Sequence, residues 1–136
     1  MASSNVAVAG EHDVLTRNEQ LTREFFKAWE REDEEAIISA FSDDAVYHNI
    51  PYKPVKGAET IRKVVKKFLN GGDMTFDLLK LVVAGDTVVT ERVDGWTQKG
   101  ERCSLPVMGI LEYNDAGKIT SWREYFDVKT FEAGHA

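Results

Sequence analysis

The order of patterns along this chain predicts an α+β domain. Helical periodicity occupies the first half, four long strand-like segments separated by turn residues fill the second, and no repeat, low-complexity tract or linker divides them. A chain of 136 residues can bury one substantial core but not two, so residues 14–136 are expected to form a single domain. Residues 1–13 are read as a flexible N-terminal tail of small and polar residues.

The first helix is expected over about residues 17–30. Thr16-Arg17-Asn18-Glu19 has the form of a capping box, and Leu21, Phe25 and Trp29 follow at four-residue spacing, with Phe26 and Ala28 widening the stripe. Asp33 is a good N-cap for a second, short helix, with Glu34 and Glu35 in its first turn and Ala36, Ile37, Ala40 and Phe41 on its buried side. Residues 45–50 read as a strand, broken by Pro51 and Pro54, that places Tyr47 and Asn49 on one face and His48 on the other. A third helix spans about residues 58–69 and stops at Asn70-Gly71-Gly72.

Strands follow at about 74–84, 87–97, 101–113 and 118–128, with turns at Gly85-Asp86, Lys99-Gly100 and Asn114-Asp115-Ala116-Gly117. Antiparallel strands of about ten residues twist and curl. A curled sheet closed by the N-terminal helices over its concave face forms a cone with a deep interior.

Composition narrows the function classes. With 43% hydrophobic and 29% charged residues this is ordinary globular protein, and a net charge of −6 argues against a phosphate-binding surface. The basic residues Arg62, Lys63, Lys66 and Lys67 interleave with apolar Ile61, Val64, Val65, Phe68 and Leu69, as on the solvated face of a helix. No nucleic-acid partner is expected. A single cysteine, Cys103, excludes an internal disulfide and reads as a small buried hydrophobe rather than a nucleophile. The run Val6-Ala7-Val8-Ala9 is too short for a membrane span and lacks a basic leader, so no membrane association is expected and the localisation is taken as cytoplasmic.

The chemistry-bearing residues sit on the strands. Period-two alternation puts Thr90, Arg92, Asp94 and Trp96 on one face, with Glu91 and Val93 on the other. Arg92 and Asp94 form either an exposed salt-bridge ladder or, facing inward, part of a site, because a buried charge persists only when paired. Tyr47, Asn49 and Asp127 are the other polar residues at positions able to face the interior. One arginine can hold two carboxylates in its planar fork. His12, His48 and His135 show no metal-ligand spacing, and neither a metal nor another cofactor is expected.

Together these pieces resemble the limonene-1,2-epoxide hydrolase family, which shares its cone-shaped fold with nuclear transport factor 2 and ketosteroid isomerase. The resemblance runs from about Leu15 to Asp127. It is carried by Tyr47-His48-Asn49-Ile50-Pro51, Arg92-Val93-Asp94, Leu105-Pro106-Val107-Met108-Gly109 and Trp122-Arg123-Glu124-Tyr125-Phe126-Asp127. It implies a mostly antiparallel, mixed sheet, a homodimer, and a hydrolase that adds water to an epoxide. On that resemblance Asp127 is the general base, Tyr47 and Asn49 hold its water, Asp94 is the general acid, and Arg92 bridges the two carboxylates.

Such an arrangement is chemically apt. An epoxide is strained but its oxygen leaves poorly, so proton donation to oxygen as water attacks carbon lowers the barrier. One carboxyl must be protonated while the other is ionised, which repulsion around a shared arginine in a dry pocket arranges. An apolar wall of Phe26, Trp29, Leu105, Val107, Met108, Leu111 and Phe131 implies a small, apolar epoxide, although any one member taken singly reads more readily as plain core. An epoxide-opening cyclase, using a substrate hydroxyl in place of water, is the alternative within the same family. An isomerase of the ketosteroid type is disfavoured by the arginine bridge. A cone that merely binds an apolar ligand or a protein has no need for five convergent polar residues.

Overall fold

The computed structural model describes residues 9–134. Helices α1 (Ala9–Glu30) and α2 (Glu34–Ser39) lead into strand β1 (Phe41–Asn49), a short β2 (Val55–Lys56) and helix α3 (Ala58–Gly71). Strands β3 (Thr75–Ala84), β4 (Thr87–Gln98), β5 (Glu101–Tyr113) and β6 (Ile119–Tyr125) follow, and α4 (Val128–Ala133) closes the chain. They form one six-stranded sheet in the order β2-β1-β6-β5-β4-β3, antiparallel except where β1 runs parallel to β6. The expected α+β domain, with a curved mixed sheet and helices on one face, is the observed fold.

Packing follows the periodicities. Asn18, Thr22, Phe25, Phe26 and Trp29 on α1 are buried against the inner face of the sheet. Trp122 of β6 stands at the centre of this core, with its ring 4.9 Å from Phe25, 6.1 Å from Trp29 and stacked at 4.3 Å on Tyr47. Offset and edge-on aromatic contacts of this kind add to the area they bury. Thr22 and Tyr113 share a buried hydrogen bond of 2.7 Å that ties α1 to β5. Burial pushes the Tyr113 phenol up to about 12, so it stays a neutral partner.

On the sheet, Val88, Thr90, Arg92 and Asp94 of β4 alternate inward with Cys103, Leu105, Val107, Gly109 and Leu111 of β5. The β4–β5 hairpin turns through Lys99 and Gly100, whose φ angles of +52° and +79° suit a two-residue connection matched to strand twist. A register shift between Leu78 and Lys80 interrupts the β3–β4 ladder and helps β3 to curl.

Several boundaries differ from the sequence expectation. Helix α1 starts at Ala9, so the Thr16 to Glu19 segment lies within the helix instead of capping it, and residues 9–13 of the expected tail are helical. The rest of that tail, residues 1–8, lies outside the described residues. Asn18 is buried, and its amide donates to the Gly85 carbonyl at 3.4 Å. Asp33 caps α2 as expected, accepting from Ala36 N at 3.1 Å. Phe41, expected on α2, instead opens β1. The last strand stops at Tyr125 rather than 128, because Asp127 accepts from Thr130 N at 2.8 Å and starts α4.

Candidate active site

The inner face of the sheet brings one arginine between two carboxylates. Arg92 donates through Nε to Asp94 Oδ1 at 2.9 Å and through Nη2 to Asp94 Oδ2 at 2.8 Å. Its Nη1 donates to Glu124 Oε2 at 3.0 Å, Nη2 also donates to Glu124 Oε1, and the remaining Nη1 hydrogen goes to Thr90 Oγ1 at 2.9 Å. All five guanidinium hydrogens are thereby engaged. The Phe26 ring lies 4.5 Å from the guanidinium carbon, adding a cation–π contact.

Strand register explains the meeting. Thr90 on β4 pairs with Gly109 on β5, and Gly109 pairs with Glu124 on β6, so the three residues form one inward-facing row. On the far side of β6, Tyr47 pairs with Trp122 and Asn49 pairs with Glu124. Tyr47 and Asn49 therefore stand next to Glu124, whereas Asp94 lies two strands further along on β4.

The electrostatics follow from burial. Desolvation raises Glu124 to about 7, against the attraction of Arg92 and with the repulsion of Asp94. Asp94 is likewise raised by desolvation, with Arg92 opposing. Arg92 stays charged, since Glu124 and Asp94 together outweigh its own burial. One positive group between two carboxyls is neutral when the pair retains a single proton, the state a low-dielectric site favours. Burial and the nearby Glu124 charge push the Tyr47 phenol far up, so it can only be a neutral hydrogen-bonding group.

A cavity of about 500 Å³ opens over these groups. Asp94, Glu124, Tyr47 and Asn49 line it together with Trp29, Leu105, Val107, Trp122, Phe126 and Phe131. Its size and apolar wall suit a small organic ligand.

Of the expected site residues, the structure gathers Arg92, Asp94, Tyr47 and Asn49, and leaves Asp127 outside. The expectation that Arg92 bridges Asp94 and Asp127 is corrected, because its second partner is Glu124. Asp127 is exposed, and the hydrogen bonds it accepts from Thr130 hold its carboxyl below the usual range. The signal for Glu124 was present in the alternation. Once the apolar Trp122 faces inward, Glu124 does too, while Asp127 has the opposite parity and lies beyond the strand end.

Alternation also sorts the expected wall. Trp29, Leu105, Val107 and Phe131 line the cavity, as do the unanticipated Tyr52, Met74, Phe76, Trp96 and Phe126. Phe26 and Leu111 are core residues, almost or fully buried, and do not line it. Met108 is corrected outright: it points to the outer face of the sheet and is 48% exposed, having the opposite parity to Val107. His48 faces away from Tyr47 and Asn49, its Nε2 lying 2.8 Å from the Tyr52 carbonyl oxygen.

A family model described as the limonene-1,2-epoxide hydrolase catalytic domain matches residues 16–135. The chain belongs to the limonene-1,2-epoxide hydrolase family. Among relatives of this epoxide hydrolase family member is epoxide hydrolase EphG of Mycobacterium tuberculosis, 30% identical over 104 residues, which cover 76% of this chain and 69% of that protein. A solved structure of an M. tuberculosis LEH-like epoxide hydrolase superposes with a TM-score of 0.78 at 29% identity, covering 88% of this chain and 90% of that one. A SnoaL-like polyketide cyclase structure from Shewanella denitrificans also reaches 0.78, at 16% identity over 86% of this chain and 95% of that one, and shares the fold. Within the family fold, the carboxyl pair of this limonene-1,2-epoxide hydrolase family member is Asp94 and Glu124, held by Arg92.

Proposed function

We propose that this epoxide hydrolase adds water directly to an apolar, cyclic epoxide and releases a vicinal diol, with Glu124 as general base and Asp94 as general acid. The observation that carries the reading is the Arg92 bridge between two buried carboxyls, only one of which lies beside Tyr47 and Asn49. A water held by the Tyr47 hydroxyl and the Asn49 amide is adjacent to Glu124, which takes its proton as the water oxygen bonds to an epoxide carbon. The carbon–oxygen bond breaks, and the Asp94 proton passes to the departing oxygen. Glu124 ends protonated and Asp94 ionised, so one proton returned from Glu124 to Asp94 restores the starting state. The paired acid and base supply the proton transfers by themselves, so the reaction is assigned no metal or cofactor.

Arg92 keeps both carboxyls in place and compensates whichever is charged, so the site needs little reorganisation as the proton changes sides. The aromatic wall accepts the hydrocarbon part of the substrate and keeps water away from the reacting centre apart from the nucleophile.

Single-turnover reaction in heavy-oxygen water tests the mechanism. Label in the diol from the first turnover is expected. Label arriving instead from pre-labelled enzyme carboxyl would mean a covalent ester, and a cyclic ether formed from a hydroxylated epoxide in place of diol would favour the cyclase alternative.

We also place a second copy of the chain on the outer face of the sheet and the enzyme in the cytoplasm. The dimer reading is supported by Leu79, Val82, Met108 and Tyr125, large apolar residues that are 43–57% exposed. Among the described residues no helix is long and apolar enough to cross a membrane.

A further inference from the structure

Glu124 and Arg92 come from strands that are not neighbours. Adjacent strands lie about 4.8 Å apart, so the two side chains must meet above β5, which runs between β4 and β6. The inward positions of β5 are Cys103, Leu105, Val107, Gly109, Leu111 and Tyr113, and only Gly109 has no side chain. Gly109 does not have the positive φ angle that would call for glycine on backbone grounds. Its role is space: a Cβ built there would stand 2.6 Å from Arg92 Nη1 and 3.1 Å from Thr90 Oγ1, and closer still to Glu124 Oε2. None of these atoms can easily give way, since all three groups are buried and bonded to one another.

We propose that Gly109 and Thr90 are positioning residues for the proton-transfer pair. The missing side chain at 109 is the gap through which Arg92 and Glu124 meet, and the Thr90 hydroxyl holds Arg92 in the rotamer that spans it. The assignment rests on the hydrolase reading above. Filling the gap drives Glu124 away from Arg92, and the carboxyl is left buried without its ion pair. Removing the Thr90 acceptor leaves one guanidinium hydrogen unpaired and frees the fork to turn.

The test is the pH dependence of hydrolysis of cyclohexene oxide, a meso cyclic epoxide, by purified variants. Gly109→Ala is expected to lower kcat by about 100-fold with KM nearly unchanged, and to move the acidic limb of kcat/KM upward by about one pH unit. Thr90→Val is expected to lose about tenfold and to move the limb the same way, with Thr90→Ser restoring both. A Gly109→Ala enzyme with the wild-type profile, or one that is slower with an unmoved acidic limb, overturns the positioning role. If Gly109→Ala does not fold, the Thr90 pair decides: Thr90→Val indistinguishable from wild type, or not restored by Thr90→Ser, overturns it. Glu124→Gln separates the two levels. Full activity of that variant would overturn Glu124 as the general base, the reading on which this proposal rests, and no hydrolysis by the wild-type enzyme would overturn the hydrolase reading, whereas an inactive Glu124→Gln beside a wild-type-like Gly109→Ala overturns only the positioning.

Discussion

Arg92 and Glu124 sit on strands separated by a third, and yet the arginine makes a two-bond fork to the glutamate across it. The same guanidinium makes a second fork to Asp94, two residues along its own strand. A site built this way has two carboxyls at fixed separation on rigid strands, with Tyr47 and Asn49 on the side of Glu124 alone.

The first prediction separates the two carboxylates that the end of β6 offers. Glu124→Gln and Asp94→Asn are each expected to lower kcat by about a thousandfold, the scale of losing a general base or acid. Asp127→Ala is expected to keep activity within a few-fold and to lower stability through the lost helix cap. Steady-state kinetics and chemical denaturation on the same three proteins check it, and an inactive but stable Asp127→Ala protein would contradict it.

The second concerns pH. On the proposed mechanism the active form holds one proton on the carboxyl pair, so kcat/KM is expected to fall at low pH as Glu124 is protonated and at high pH as Asp94 is ionised. Because burial lifts both Asp94 and Glu124, with Glu124 at about 7, the bell is displaced upward from the ordinary carboxylate range. A plateau extending unchanged down to pH 4 would be inconsistent with buried carboxyls in these roles.

Stability should carry the same signature with a definite sign. Glu124 rises from an ordinary 4.5 to about 7 on folding, so the native state binds the extra proton and its contribution is present below 4.5 and lost as pH rises through 7. Glu124→Gln has no such loss. The variant's melting temperature relative to wild type should therefore increase by roughly 3 °C or more between pH 4.5 and 7.5. A constant difference over that window would mean that Glu124 does not titrate there.

The fourth prediction uses opposite faces of one strand. Leu105→Ala and Val107→Ala enlarge the cavity and should change the preference among cyclic epoxides of different size, measured as ratios of kcat/KM. Met108→Ala lies on the outer face and should leave those ratios unchanged. The reverse result would place Met108 in the wall.

Much of this arrangement was legible in the chain. Arg92 and Asp94 share parity on β4, as do Tyr47 and Asn49 on β1, and alternation alone predicts that each pair acts on one face. Asp33 announced α2 through its capping chemistry, and Lys99-Gly100 marked a tight hairpin. Asp127 was misread because a carboxylate near a strand end serves equally well as a helix N-cap, and nothing local marks where β6 stops.

Local periodicity and turn chemistry thus determined the elements, their faces and the kind of groups the cone contains, because these depend on neighbours within a few residues. Tertiary structure alone decided that Glu124 completes the Arg92 bridge, that it lies beside Asn49, and that Gly109 provides the gap above which they meet. Those facts depend on strand order and register, which are set by pairing and packing between segments far apart in the chain.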